Sequence, residues 1–225
     1  CLQRIPGQST GRYSAIMDNT GELFIGLSDV GVAEHLDPAL PGPCEAGEPG
    51  RALLMDANLS ETCLQALSER AASLGLPTAA MSVSPAKSVR LLSIASELQL
   101  LFCNRREAIA LADPRLPVDT DLDVLADTLL ARGFNQFVLT DADSPVLVQT
   151  PSLRERLSVP TFTRTEHVNG AGDALAGASF AAWCTGSDLP DAVRRQGLPA
   201  AARILSGQRQ PPCLLAGLKH IDTGT

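Results

Sequence analysis

Residues 78–112 read TAAMSVSPAKSVRLLSIASELQLLFCNRREAIALA, and they contain two strand-and-helix pairs in succession. Residues 78–83 and 100–102 are short and apolar, as buried strands are, whereas residues 88–98 and 107–112 have helical patterns. Strands that alternate with helices are typical of a parallel sheet. This stretch therefore predicts an α/β fold.

The same alternation continues on both sides of this stretch. Upstream, residues 52–55 form a predicted strand, and Ser60 is a suitable N-cap for a helix that Gly75 ends. Downstream, the patterns predict helices over 121–132, 172–183 and 192–205, a strand over 137–139 with a hairpin partner over 145–148, and a loop containing Pro151 and Pro160. We expect three layers, with helices on both faces of a mainly parallel sheet.

The first strands of the chain do not fit this alternation. Residues 12–17 and 22–27 each alternate between apolar and polar positions, and Asp18-Asn19-Thr20-Gly21 lies between them. Two such runs around an Asn/Gly turn predict a β-hairpin. We expect it to form a small appendage to the main sheet.

The composition narrows the class of protein. The chain has 225 residues, of which 44% are hydrophobic and 19% charged, and its net charge is -7. Collagen-like, low-complexity and wholly disordered chains are excluded, and no apolar run approaches the roughly 20 residues of a membrane helix. The charge of the chain as a whole is therefore not that of a nucleic-acid-binding protein. The six cysteines are dispersed without a CxxC pair, which argues against zinc and for a reducing, cytoplasmic location.

Residues 168–178, Val-Asn-Gly-Ala-Gly-Asp-Ala-Leu-Ala-Gly-Ala, join a glycine-rich loop directly to a helix of small residues. Backbone N–H groups at a helix N-terminus attract anions, and glycines let a phosphate approach them closely. Asp173 lies in the first turn, where a carboxylate could accept a proton from a reacting hydroxyl. The alternative is that Asp173 only caps the helix and the glycines only make the turn.

With these residues, the chain resembles the ribokinase-like (PfkB) carbohydrate kinases, in which Gly-Ala-Gly-Asp opens a helix near the C-terminus. A second motif of that family, Asn-x-x-Glu after a short strand, is matched by Asn104-Arg105-Arg106-Glu107. Residues 9–16, 55–60 and 82–87 are similar to the corresponding stretches of the pseudouridine-kinase branch of the family. The resemblance covers residues 8–219.

The resemblance implies a ribokinase-like fold with a β-lid hairpin over residues 10–29. It implies transfer of the γ-phosphoryl group of ATP, with Mg²⁺, to the 5'-hydroxyl of a ribosyl nucleoside, for which pseudouridine is the first candidate. The partners would be ATP and a nucleoside or sugar, with neither nucleic acid nor membrane, and a homodimer could form through the lid. The implied roles are: general base, Asp173; anion hole, Gly170, Ala171 and Gly172; Mg²⁺ and phosphates through water, Asn104 and Glu107; nucleotide, Thr140; sugar hydroxyls, Asn58.

Three departures from the family pattern leave other functions open. The chain starts at Cys1 without the family's first strands, so we expect residues 1–225 to form one PfkB-type domain that lacks its N-terminal portion. Residues 140–145 read Thr-Asp-Ala-Asp-Ser-Pro, where relatives have Thr-Leu-Gly-x-x-Gly, and this places two carboxylates near the expected ATP oxygens. His167 occupies the position of an aspartate that serves a monovalent cation in many relatives, which argues against a potassium site.

Two alternatives to a pseudouridine kinase follow. The chain could be another sugar or nucleoside kinase of the family, acting on ribose or adenosine. It could also be a non-catalytic descendant that retains the fold as a binding module. A loop Asn that bonds its own backbone is an equally good interpretation of Asn58.

Overall fold

The computed structural model describes residues 4–18, 23–39, 52–159 and 169–207. Two strands, β1 (Arg12–Met17) and β2 (Leu23–Asp29), form a separate sheet and are followed by a 3-10 helix, Gly31–His35. The other elements are, in chain order, β3 (Leu53–Asp56), α1 (Glu61–Ser73), β4 (Thr78–Met81), α2 (Pro85–Ser88), a 3-10 helix (Val89–Ile94), β5 (Leu100–Asn104), α3 (Arg105–Ala112), α4 (Leu122–Ala131), β6 (Phe137–Thr140), β7 (Val146–Gln149), β8 (Arg154–Leu157), α5 (Ala171–Cys184), α6 (Leu189–Ala192), a π-helical turn (Val193–Gly197) and α7 (Leu198–Leu205).

The predicted α/β architecture is confirmed. Strands β3 to β8 form one six-stranded sheet in which each strand pairs with its neighbour in the chain. The pairs from β3 to β6 are parallel, and β6, β7 and β8 pair antiparallel, as predicted for residues 145–148. Ser60 also takes its predicted position as N-cap of α1, where its hydroxyl accepts the Cys63 N–H at 3.2 Å.

Each face of the large sheet has its own hydrophobic core. Successive residues of a strand point to opposite faces, so Leu101 and Leu100 belong to different clusters. On the face of Leu101, the cluster includes residues of α1, α3 and α4, such as Leu64 and Leu125. On the face of Leu100, the strands pack against α5, α6 and α7. The predicted arrangement of helices on both faces is confirmed.

The predicted hairpin is present as β1 and β2, with Arg12 opposite Asp29 and Ile16 opposite Ile25. Its turn, residues 19–22, lies outside the described residues. The hairpin is highly exposed, and Phe24 has 76% of its surface open. A lid over residues 10–29, a single domain over 1–225 and a homodimer through the hairpin stay predictions.

Strand β8 is a correction, because residues 154–157 were predicted to be loop. Their sequence, Arg-Glu-Arg-Leu, has only one apolar side chain and shows no strand pattern. The strand is instead held by charge: Arg154 pairs with Asp127 at 2.6 Å on α4, and Arg156 with Asp123 at 2.8 Å. Charged side chains on an outer strand also discourage pairing with other chains.

The helix predicted over 88–98 is also a correction. The helical segment begins at Pro85, whose fixed φ suits the first position of a helix, and it continues as a 3-10 helix from Val89 to Ile94. The helix predicted over 192–205 begins at Leu189, with Asp188 as its N-cap, and contains the π-helical turn. In both cases the capping residues lie earlier than the apolar pattern suggested.

Gly197, in the π-helical turn, is required by close packing against α5. A Cβ at this position would overlap Ser179 Oγ and lie 3.1 Å from the Leu175 carbonyl oxygen. Ser179 is fully buried, and its hydroxyl has no hydrogen-bond partner within the described ranges. The contact between these helices therefore leaves no room for a side chain at residue 197.

We expect Gly197→Ala to lower the free energy of unfolding by about 1–3 kcal/mol, because overpacking of a tight contact forces neighbours to move. Urea denaturation measures the loss. Ser179→Ala alone should be neutral or stabilising, since it removes an unpaired buried hydroxyl. Combined with Gly197→Ala, it should recover part of the lost stability. Additive losses in the double variant would contradict this packing argument.

Within the described ranges, no helix is long and apolar enough to cross a membrane. Cys63 and Cys103 are buried free thiols, and Cys184 is partly exposed. The remaining three cysteines lie outside the described residues.

Candidate active site

A cavity of roughly 380 Å³ lies at the carboxyl ends of β4, β5 and β6, between the hairpin and the start of α5. Ligands of open α/β sheets bind at this edge, where the loops after parallel strands converge. The residues that line it are Tyr13, Met81, Ser82, Val83, Phe102, Cys103, Asn104, Glu107, Val138, Thr140, Asn169, Gly170, Gly172, Asp173 and Leu175. The structure thus brings together most of the predicted site residues.

Asp173 and the glycines reach the cavity through the start of α5. Gly170 is the N-cap, and its φ of 88° is a conformation that favours glycine. The first backbone hydrogen bond of the helix runs from Ala174 N–H to the Gly170 carbonyl, at 2.9 Å. The N–H groups before Ala174 thus precede the first intrahelical bond, and Asp173 lies exposed beside them. Ala171 does not line the cavity, because its side chain packs against the core.

Asn104 and Glu107 form a reciprocal capping box at the start of α3. The Asn104 side-chain oxygen accepts the Glu107 N–H at 3.0 Å, and Glu107 Oε2 accepts the Asn104 N–H at 2.9 Å. Glu107 is only 7% exposed, and its Oε2 also accepts a hydrogen bond from the Ser82 hydroxyl. A buried carboxylate is thereby held in one orientation against the cavity wall.

Thr140 lies directly beside Asn104, because the two residues pair across the parallel strands β5 and β6. Its hydroxyl is 3.5 Å from the Cys103 carbonyl oxygen, at the limit of a hydrogen bond. Burial and the nearby Glu107 carboxylate raise the pKa of the Cys103 thiol well above its usual value. The thiol therefore stays protonated. The polar atoms of this wall of the cavity include the side-chain oxygens of Asn104, Glu107 and Thr140.

Asn58 does not line this cavity. It lies in a neighbouring groove of roughly 470 Å³ beside β3, and Tyr13 lines both spaces. Its side-chain oxygen accepts a hydrogen bond from Lys87 Nζ at 2.6 Å, and its N–H donates to Asp56 Oδ1 at 2.8 Å. Contact of Asn58 with a sugar stays a prediction. The alternative of an Asn that bonds its own backbone is not what these bonds show, because the Asn58 side chain binds Lys87 and the backbone bond is made by the Asp56 side chain.

The loop after β6 does not expose both of its carboxylates. Arg105 NH2 binds Asp141 Oδ2 at 2.7 Å, and this hydrogen bond lowers the pKa of Asp141. The Ser144 N–H donates to the Asp141 carbonyl at 2.8 Å, which closes a tight turn. Ala142 has a φ of 46°, so the turn keeps a left-handed residue without a glycine. The expected repulsion from two free carboxylates is reduced to that of the exposed Asp143.

The lowered pKa of Asp141 predicts that the ion pair with Arg105 stops stabilising the fold in acid. Because the pKa is lower in the folded state, the ion pair stabilises the fold above the ordinary aspartate pKa of about 3.9, and the contribution disappears as pH falls through the folded-state value. Asp141→Asn should therefore lower the free energy of unfolding by less than about 1 kcal/mol at neutral pH, because the pair is partly open to solvent, which screens it. When denaturation is measured from pH 7 to 2, the free energies of unfolding of parent and variant should converge below pH 4. A difference between the two free energies that stays constant with pH would contradict this prediction.

No group of three His, Cys, Asp or Glu side chains able to hold a metal ion occurs among the residues described. The oxygens at the cavity wall, from Asn104, Glu107 and Asp173, suit Mg²⁺, which keeps most of its water and binds oxygen ligands. His167, on which the argument against a potassium site rests, lies outside the described residues.

Tyr13, Ser82, Val83 and Arg105 are among the residues of the site that were not singled out from the sequence. Tyr13 is brought in from the hairpin, and Ser82 and Val83 come from the turn after β4. Arg105 reaches the loop after β6. Tyr13, Ser82 and Val83 fall within the stretches similar to pseudouridine kinases, and Arg105 falls within the Asn104–Glu107 motif. None of these similarities gave the residue a role, and only tertiary structure brings the four side chains to the site.

The geometry agrees with the comparisons to known proteins. Residues 1–212 match the pfkB family carbohydrate kinases, and the chain belongs to this family. The curated pseudouridine kinase of Escherichia coli (strain K12) is 26% identical over 216 residues, which are 95% of this chain and 68% of that protein. A carbohydrate kinase from Agrobacterium tumefaciens is 30% identical with a TM-score of 0.68, covering 88% of this chain and 62% of that one.

The fold extends to more distant relatives. Anopheles gambiae adenosine kinase, solved in complex with P1,P4-di(adenosine-5) tetraphosphate, has a TM-score of 0.75 at 20% identity, covering 96% of this chain and 67% of that one. The match at 20% identity supports the ribokinase-like fold. The chain spans about two thirds of the length of these relatives.

Proposed function

We propose that this protein transfers the γ-phosphoryl group of ATP to the 5'-hydroxyl of a ribosyl nucleoside, with pseudouridine as the preferred acceptor. The observation that carries the proposal is the position of Asp173 in the first turn of α5. It lies in one cavity with Asn104, Glu107 and Thr140 from the ends of β5 and β6. The choice of pseudouridine rests on the similarity to the E. coli enzyme.

Asp173 would act as the general base. It is exposed and lines the cavity, and in the described part of the chain the start of α5 has no side-chain capping bond, so the carboxylate is available to accept the hydroxyl proton. As that proton leaves, the acceptor oxygen forms a bond to the γ-phosphorus and the bond from that phosphorus to the β-bridging oxygen breaks. ADP is then released with the bridging electron pair.

The start of α5 would stabilise the phosphoryl group during its transfer from ATP to the acceptor. The N–H groups of Gly170, Ala171 and Gly172 stand at the positive end of the helix, and they precede its first internal hydrogen bond. Neither glycine has a side chain that would keep an anion away. Such fixed donors contribute most where negative charge gathers, as on the oxygens of a transferring phosphoryl group.

Asn104 and Glu107 would organise Mg²⁺ through its bound water. Their direct hydrogen bonds to each other leave them rigid, and Glu107 Oε1 has no hydrogen-bond partner within the described ranges. Bound Mg²⁺ supplies positive charge that neutralises the phosphates. Thr140, paired with Asn104 across the strands, would contact the nucleotide. A role for a monovalent cation is not part of the proposal.

The ion pair between Arg105 and Asp141 favours an active kinase over a binding module. A free carboxylate here would repel the phosphates of ATP, whereas Asp141 is held by a guanidinium at 2.7 Å. Ribose and adenosine stay open as acceptors.

Phosphoryl transfer from ATP to pseudouridine, uridine, adenosine and ribose tests the proposal, with products identified by mass spectrometry. We expect turnover to be fastest with pseudouridine and to depend on Mg²⁺. Faster turnover with ribose or adenosine would show that pseudouridine is not the preferred acceptor and would still support kinase activity. ATP binding without turnover on any of the four would overturn the kinase proposal and favour the binding module.

A further inference from the structure

Val83 has a backbone conformation that valine rarely adopts. Its φ is 64°, in the left-handed region, and a β-branched residue there is a genuine outlier. The Ser84 N–H donates to the Ser82 carbonyl at 2.7 Å, so Val83 is the centre of a three-residue γ-turn of the strained, positive-φ type. The turn joins the end of β4 to the start of α2.

The strain is imposed from both sides of the turn. Before it, the Ser82 N–H donates to the Phe102 carbonyl at 3.1 Å, which extends the contact between β4 and β5. The Ser82 hydroxyl also donates to Glu107, at the start of α3. After it, the Ser84 carbonyl accepts the Ser88 N–H at 2.8 Å in the first turn of α2. Both flanks are therefore fixed, and the residue between them cannot relax.

Val83 gains little packing in return for this strain. Its side chain remains 44% exposed, and it lines the cavity that contains Asp173. Tyr13 lines the same cavity from the hairpin and is 55% exposed. Its ring lies against β2 at Gly26, where a Cβ would approach Tyr13 Oη to 2.6 Å. Strained residues that persist at a cavity are typical of ligand clamps.

The residues that line the cavity are of two chemical kinds. Gly170, Gly172 and Asp173 offer polar groups suited to phosphate and hydroxyl groups, whereas Val83 and Tyr13 offer an aliphatic and an aromatic surface. A free sugar has hydroxyl groups on every side and gains little from such surfaces. The planar ring of a nucleobase is apolar on both faces and stacks on aromatic side chains.

We propose that Val83, held by its γ-turn, and Tyr13 contact the two sides of the nucleobase and select nucleosides over free ribose. The inference rests on the proposed nucleoside kinase function and names the residues that discriminate the acceptor. The γ-turn projects the valine side chain into the cavity, and Gly26 leaves space for the tyrosine ring against the hairpin.

The test compares Val83→Ala and Val83→Gly with the parent, using turnover and calorimetric binding of pseudouridine and ribose. Loss of aliphatic contact should raise KM and Kd for pseudouridine about 10-fold or more, and leave those for ribose unchanged. Val89→Ala, at an exposed valine of the adjacent 3-10 helix, is the matched control and should change neither.

A stability measurement separates contact from folding. Val83→Gly should have a melting temperature no lower than that of the parent, because glycine tolerates positive φ. Ala142→Gly relieves the same backbone strain at another left-handed residue and shows how much the relief of strain alone changes the melting temperature. If KM and Kd of the Val83 variants change equally for pseudouridine and ribose, or do not change, the inference about Val83 is wrong, whereas the proposed kinase activity is unaffected. If the parent neither binds nor phosphorylates a nucleoside, the proposed function fails as well.

Discussion

Replacement of Asp173 by Asn should reduce phosphoryl transfer by about 10²–10⁴-fold, the usual contribution of a general base. Asn has nearly the same size and cannot accept the hydroxyl proton. It also removes a negative charge beside the phosphates, so ATP should bind as well as before or slightly more tightly. Steady-state turnover and an ATP titration measure the two effects separately.

The control for this variant is Asp191→Asn. Asp191 occupies the same third position of a helix, α6, and lies outside the cavity, paired with Arg194 at 2.5 Å. It should keep the turnover of the parent. If Asp173→Asn also turns over like the parent, Asp173 only serves the helix start and the proposed mechanism is wrong.

Glu107→Gln should lower turnover by about 10–100-fold at limiting Mg²⁺, in the range of residues that act on a metal through its shell. Gln retains an oxygen that can accept the Asn104 N–H and the Ser82 hydroxyl, and Gln is itself a capping-box residue. The helix should therefore survive while the charge is lost. The expected signature is partial recovery of turnover as Mg²⁺ is raised.

Glu97→Gln provides the matched control, because Glu97 also accepts a hydrogen bond from a serine, Ser68, at 3.1 Å but lies away from the cavity. It should leave the Mg²⁺ dependence unchanged. If Glu107→Gln has the same Mg²⁺ dependence as the parent, Glu107 is a structural cap only.

The parts of the fold that the sequence predicts are those governed by local pattern. The strands of the large sheet that are buried on both faces, such as Phe137–Thr140, are short apolar runs. Such runs are too short to form a helix of ordinary length, so the sequence pattern predicts a strand. Strand β8 has no such run, since its stability comes from ion pairs between Arg154, Arg156 and the aspartates of α4. Those partners are about 30 residues away, beyond any local pattern.

The candidate site divides in the same way. Asp173, Asn104 and Glu107 belong to short motifs that resemble those of the PfkB family, and this resemblance picks them out in the sequence. Val83 is different, because local preference argues against the conformation that it adopts. Only the hydrogen bonds of its two flanks impose that conformation. A rule based on propensity would place a glycine there.

The sequential order of the sheet has a consequence for how the protein is made. Crossovers between neighbouring parallel strands are right-handed, so strands added in chain order place their linking helices on one face, where α1, α3 and α4 lie. Within the described ranges, the helices that cover the opposite face are α5, α6 and α7. The apolar side chains of Leu100, Phe102 and Val138 therefore gain this cover after the strands that carry them have been synthesised. Since α5 carries Asp173, the covering of this face and the placement of Asp173 at the cavity depend on the same late segment, and we expect a nascent chain that ends before α5 to expose apolar surface that chaperones bind.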